Sequence, residues 1–147
     1  MRRFQFRLEK ILNLRKYRER EWEQKLAVIS GICIELENRI KMLTMEKQRV
    51  AFRYAIGTEV DVSTLISREL YTLRIDKGIE ELEQELAKRK KELEEVRKRY
   101  LEVSKERKVL EKLKERQEKK YYYEQKLEEI KIIDDLNNAK TNRELFL

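Results

Sequence analysis

Apolar residues recur about every three and a half positions through two separate blocks of this chain, and no proline interrupts either block. In the first, Trp22, Leu26, Ile29, Cys33, Leu36, Ile40, Leu43, Val50 and Tyr54 alternate steps of four and three, broken only by Lys47. In the second, Ile75, Ile79, Leu82, Leu86, Leu93, Val96, Tyr100 and Val103 do the same, broken only by Arg89. That period turns a narrow apolar stripe of one helix towards another helix and leaves Glu, Lys and Arg in water on its flanks. Between the blocks, the stretch Gly57 to Ser63 is where the pattern stops and restarts. Gly57 tolerates the positive φ that follows a helix end, while Asp61 and Ser63 suit the free amides of a new helix. The spacing predicts an all-α fold in one domain: a helix over about 6–56, a turn at about 57–62, a longer helix over about 63–138 and a frayed tail at 139–147. The second helix folds back on the first as an antiparallel coiled-coil hairpin.

Two helices have no third layer, so stability must come from the seam between them. A charged content of 44% with three glycines fits long, exposed helices better than a sheet or a disordered chain. No window is apolar for long enough to cross a bilayer, and no apolar run follows the basic Met1 to Arg7, so a cytoplasmic protein is expected. Cys33 is the sole cysteine and sits in the first seam, where a small buried apolar side chain is the plain role.

The chemistry of catalysis is missing. There is no histidine, and Gly31, Gly57 and Gly78 are too far apart to cradle a phosphate. Glu80, Glu81, Glu85, Glu92 and Glu95 lie on seam flanks, where pairing with Lys or Arg in solvent explains them. No enzyme, cofactor or metal is expected. The sequence pI near 9.4 raises nucleic acid as a partner, but basic residues alternate with acidic ones and the aromatics sit on apolar stripes. No nucleic-acid partner is expected.

At the N-terminus Phe4, Phe6 and Leu8 alternate with a period of two, which mimics a strand, before Leu8, Leu12, Arg15, Glu19 and Trp22 extend the helical seam backwards. Arg15 and Glu19 predict a seam that loosens or faces water at the open end. Gly78 costs about 1 kcal/mol against alanine in a helix and suggests close approach or bending. At about 1.5 Å per residue the second helix outruns the first by roughly 35 Å. Folding about Gly57 sets Phe4 beside Lys114 and leaves Glu115 to Asn138 without a partner in the chain. Yet this segment keeps Tyr121, Tyr123, Leu127, Ile130, Ile133 and Leu136 at helical spacing, which marks contact with another molecule. Tyr122 is read as solvated. Residues 1–20 carry eight basic side chains against two acidic ones, and residues 104–126 nine against five, so the open end is basic. A basic end bearing an apolar helix suits an acidic ring or groove. Tyr71 and Ile75, one turn apart beyond the bend, read from pattern alone as seam residues.

The opening Phe4-Gln5-Phe6-Arg7-Leu8-Glu9-Lys10-Ile11-Leu12 with Arg15, the bend Gly57 to Leu65, and Val109 to Gln117 followed by Tyr121 and Asp134-Asp135 resemble the FliJ family. This is the small coiled-coil component of the bacterial flagellar type III export apparatus. The resemblance implies a hairpin similar to the central stalk (gamma) subunit of rotary ATPases, monomeric before assembly, standing in the pore of the hexameric export ATPase. It implies a second contact with the cytoplasmic region of the membrane export gate FlhA, escort of export chaperones, and a peripheral place at the inner membrane held through protein partners. On this chain the implied ATPase end comprises Phe4, Phe6, Arg7, Leu113, Arg116, Tyr121, Tyr123 and Leu127, and the implied gate pair is Tyr71 and Ile75. ATP hydrolysis would belong to the partner. The alternatives are a coiled-coil homodimer in which two copies cover each other's overhangs, and the equivalent coil of a virulence secretion system. The opening Phe-x-Phe favours the flagellar one.

Overall fold

A computed structural model describes residues 2–55 and 61–146; it is all-α, with two long helices packed against each other and no strand among the described residues. Helix α1 is Glu9–Ala55 and helix α2 is Val62–Leu145, 47 and 84 residues long. The expected turn at 57–62 falls mostly outside the described residues, as does the side chain of Tyr54.

Both helix starts follow from local chemistry. Residues 2–6 are extended, and the chain then turns so that the Glu9 amide donates to the Phe6 carbonyl at 3.2 Å and the Leu12 amide to the Leu8 carbonyl at 2.9 Å. Glu9 in the first turn faces the positive end of the helix dipole. α1 therefore begins at Glu9 rather than near residue 6. At α2 the Asp61 carbonyl accepts from the Leu65 amide at 3.1 Å, and the Ser63 hydroxyl donates to the Asp61 carboxylate at 3.1 Å. Asn137 and Asn138 do not end α2. With no glycine or proline after Gly78, the ladder runs on, helped by the Thr141 hydroxyl donating to the Asn137 carbonyl at 2.9 Å and by Arg143 in the last turn.

The chain groups into two compact units. Unit 1 joins Met1–Glu19 to Glu102–Leu147, and unit 2 is Arg20–Leu101. Within unit 2 the helices run antiparallel, as Glu37 lies 3.6 Å from Lys90 and Lys47 lies 2.6 Å from Asp76. Its most buried apolar side chains are Cys33, Leu36 and Ile75, with Leu43 reaching within 3.5 Å of where a Cβ on Gly78 would stand. That is ordinary contact, so Gly78 is not required for close approach. Lys47, the charge that interrupts the first stripe, is answered across the seam by Asp76, while Arg89 pairs on its own helix with Glu85 and Glu92, each at 3.2 Å.

Within unit 1 the helices are again antiparallel. Glu9 pairs with Lys114 at 2.9 Å, Arg15 with Glu106, and Glu19 with Arg107, which also holds Glu111 at 2.6 Å. The seam does not loosen at Arg15 and Glu19, although the Arg15–Glu106 pair does face water. Each charge meets its opposite on the facing helix, and Leu12 in the same stretch is fully buried, with Phe6 and Ser104 close behind. The Glu19 and Arg107 side chains are only 14% and 21% exposed, so their hydrogen bonds count for more than those of a surface pair. The bond to Glu19 holds the Arg107 guanidinium above its ordinary pKa against the opposing effect of burial.

Candidate partner-binding surfaces

The N-terminal arm, residues 2–6, is the structural surprise of unit 1. It does not continue α1 but lies extended along α2. Phe4 packs its ring 5.5 Å from that of Tyr121, tilted by 48°. The Tyr121 hydroxyl donates to the Arg2 carbonyl at 2.8 Å, and the Gln125 amide donates to the same carbonyl at 3.3 Å and to the Tyr121 oxygen at 2.8 Å. An extended chain advances about 3.3 Å per residue against about 1.5 Å in a helix, so the arm covers α2 well past Lys114. This corrects the expected bare overhang from Glu115: Tyr121 faces the chain's own arm, and Lys114 meets Glu9 rather than Phe4. Period-two spacing of Phe4, Phe6 and Leu8 was the visible signal for it.

Beyond the arm the helix is bare. Every residue from Lys126 to Phe146 is exposed, about 30 Å of helix at 1.5 Å per residue. Its polar residues Glu124, Glu128, Lys131, Asp135 and Asn138 are spaced four, three, four and three, forming one solvated stripe. At about 100° per residue, Leu127, Ile130, Ile133, Leu136 and Ile132 fall on the remaining side of the helix, interspersed there with Lys126, Glu129, Asp134, Asn137 and Lys140.

The residues that the resemblance assigns to an ATPase end divide by burial. Phe6 is buried in unit 1, Phe4, Leu113 and Tyr121 are half-buried, and Arg7, Arg116, Tyr123 and Leu127 are exposed. Tyr122, read as solvated, is half exposed with its ring edge-on to Tyr121 at 5.6 Å. Arg3, Gln5, Glu9, Lys114, Glu118 and Tyr122 line an open groove of about 580 Å³ with the two arm phenylalanines.

In unit 2 the implied gate pair separates in the same way. Ile75 is 6% exposed and belongs to the seam, whereas Tyr71 is 44% exposed and its hydroxyl donates to Glu46 at 3.1 Å. Arg49 donates to the same carboxylate at 2.8 Å. The Arg49 bond lowers the Glu46 pKa below 4.5 against the opposing effect of desolvation, with a smaller contribution from the Tyr71 bond; the bond to Glu46 raises that of Tyr71 above 10.0. These two helices also line a groove of about 280 Å³ rich in arginine, with Arg49, Arg53 and Arg68 beside Tyr71. Glu46 and this groove were not foreseen, since neither residue type nor spacing on one helix reveals a pairing made across two.

Among the described residues no group of His, Cys, Asp or Glu is placed to hold a metal, and no helix is long and apolar enough to cross a membrane. The family model described as "Flagellar FliJ protein" matches residues 4–145. No curated protein and no solved structure matches the chain.

Proposed function

The chain belongs to the FliJ family of flagellar export, and from that premise we propose that it is a non-enzymatic stalk or adaptor which docks in the ring of the export ATPase and links it to the membrane export gate. The observation that carries the proposal is the bare end of α2, where Leu127, Ile130, Ile133 and Leu136 stand exposed beyond the reach of the N-terminal arm. Several exposed apolar side chains on one helix end suit burial against a partner. The basic arm and the basic residues of 104–126 beside it steer encounter with an acidic ring. Phe6 and Leu113 then position the arm, and Tyr123, Leu127, Arg7 and Arg116 meet the ATPase. The gate meets Tyr71 and its surroundings, with Ile75 holding the helix behind it. Work in the cytoplasm, a peripheral place at the inner membrane through protein partners, and escort of export chaperones belong to the same proposal.

The test is a pull-down with the purified export ATPase. It compares the full chain, a Leu127→Asp/Ile130→Asp variant and a chain ended after Lys126, all of which keep the contacts of Tyr121 and Gln125 with the arm. Capture of the full chain and loss of both altered forms is expected. Equal capture of all three would overturn the ATPase assignment.

A further inference from the structure

Unit 1 carries a stripe on α2 that neither the seam nor the arm uses. Tyr123, Leu127, Ile130 and Asp134 follow one another at steps of four, three and four, within about 60° of arc around the helix. Tyr123 and Leu127 each stand two residues beyond a side chain that holds the arm, Tyr121 and Gln125, which sets them about 200° further round. The stripe therefore faces away from the arm. Tyr123 is 64% exposed, Leu127 48% and Ile130 46%, and Asp134 is exposed as well.

Charge indicates what covers it. Over residues 119–126 the helix carries Lys119, Lys120 and Lys126 against Glu124, a balance of +2. Over residues 127–135 it carries Glu128, Glu129, Asp134 and Asp135 against Lys131, a balance of −3. These side chains form no ion pair among the described residues. A segment that is positive in its first half and negative in its second complements a copy of itself lying antiparallel, and repels a parallel one. The stripe fixes the register by setting Leu127 of each copy against Ile130 of the other. Tyr123 then meets Asp134 of the second copy, a phenol hydroxyl that donates to a carboxylate, and Glu124 meets Lys131 of the second copy on the flank. A two-fold axis makes each of these contacts twice.

We propose that the free chain pairs with a second copy of itself through this stripe, antiparallel and centred between Leu127 and Ile130. The overlap from Lys120 to Asn137 spans roughly 27 Å of helix, short beside the interface of a permanent dimer, so the pairing is reversible and depends on concentration. It goes beyond the ATPase reading above. Leu127 and Ile130 cannot serve the ATPase and a second copy at once, so pairing is a state of the chain before docking, in place of the monomer that the resemblance implies.

Sedimentation velocity of the full chain alone, across the micromolar range, tests the pairing without the ATPase. The sedimentation coefficient is expected to rise with concentration towards that of a dimer, and less steeply at high salt. Leu127→Asp/Ile130→Asp should abolish the rise. Glu124→Lys sets two like-charge pairs into the contact and should weaken pairing by about fivefold, whereas Glu124→Lys/Lys131→Glu exchanges the charges and should restore it. Helicity and melting temperature of the dilute variants should match those of the unaltered chain, since every altered position is exposed. An unaltered chain that stays monomeric throughout overturns the inference; if the ATPase then captures it but not the Leu127/Ile130 variant, the stripe belongs to the ATPase instead. A dimer that the Leu127/Ile130 variant forms equally well, or that the charge exchange fails to restore, also overturns it. A melting temperature that falls in the Leu127/Ile130 variant as far as in Leu12→Ala makes these side chains part of the fold of unit 1 and overturns it too.

Discussion

Leu12 is the only described side chain of its size that is completely buried, and its truncation measures how far unit 1 depends on the seam. Leu12→Ala removes three carbons from a site with no solvent access. At about 0.8 kcal/mol per buried methylene the transfer cost is about 2.4 kcal/mol. Cavity formation adds to this, but two helices with water on both sides can close a gap more readily than a thick core, so the sum is about 3 kcal/mol, in the lower half of the range for such truncations. At roughly 2–4 °C per kcal/mol for a chain of this size, the melting temperature should fall by about 6–12 °C. The control is Leu14→Ala, two residues away on the same helix but 49% exposed, which should cost within about 0.5 kcal/mol of nothing. Urea unfolding followed by far-ultraviolet circular dichroism gives both values directly, with an unchanged slope showing that the comparison is one of stability. If the two variants melted within about 2 °C of each other, the seam would not be what holds unit 1 together.

Three further outcomes follow from particular side chains. A Cβ on Gly31 would meet nothing within 4 Å and one on Gly78 only Leu43 at 3.5 Å, so Gly31→Ala and Gly78→Ala should each raise stability by about 0.5–1 kcal/mol in the same urea assay; a loss at Gly78 would mean the helices need that close approach. Tyr121→Phe removes the hydroxyl that donates to the Arg2 carbonyl, worth about 1 kcal/mol, and limited trypsin digestion should cut after Arg3 and Arg7 several-fold faster while the helices stay intact. For the Glu46–Tyr71 pair, the Tyr71 pKa is raised, so its contribution is present below pH 10.0 and lost as pH rises through the folded value, whereas the lowered Glu46 pKa makes its contribution present above pH 4.5 and lost on acidification. Ultraviolet difference titration should show one phenol ionising late, and Glu46→Gln should bring it earlier; no change would mean the hydroxyl bond is not populated in solution.

The all-α fold with its paired helices was legible because one period governs so many residues. Cys33, Leu36 and Ile75 sit on the predicted stripes and are buried on them. Asn137 and Asn138 misled because a polar pair weakens a helix only by its propensity, a few tenths of a kcal/mol each, which the uninterrupted ladder and the Thr141 bond to Asn137 outweigh. Arg15 and Glu19 misled for another reason: a charge in a seam is costly alone but not when its opposite faces it, and Glu106 and Arg107 lie about ninety residues away in sequence. The arm shows most clearly why reach must be computed with the right rise. Had Arg2 to Leu8 stayed helical, each residue would have covered about one residue of α2, and Arg2 would have stopped level with Tyr121. Extended, the same few residues climb faster, so Arg2 reaches Gln125 while Glu9 stays at Lys114. Tyr121 is therefore partly covered by the chain's own arm, whereas Arg116, Tyr123 and the helix from Lys126 onward stay exposed. The lysines and arginines of 104–126 stay beside the arm, and the bare helix beyond carries three basic residues against five acidic ones. The exposed apolar side chains Leu127, Ile130 and Ile133 and the basic residues of 104–126 lie on different stretches of α2, so substitutions can separate apolar burial from charge in any contact made there.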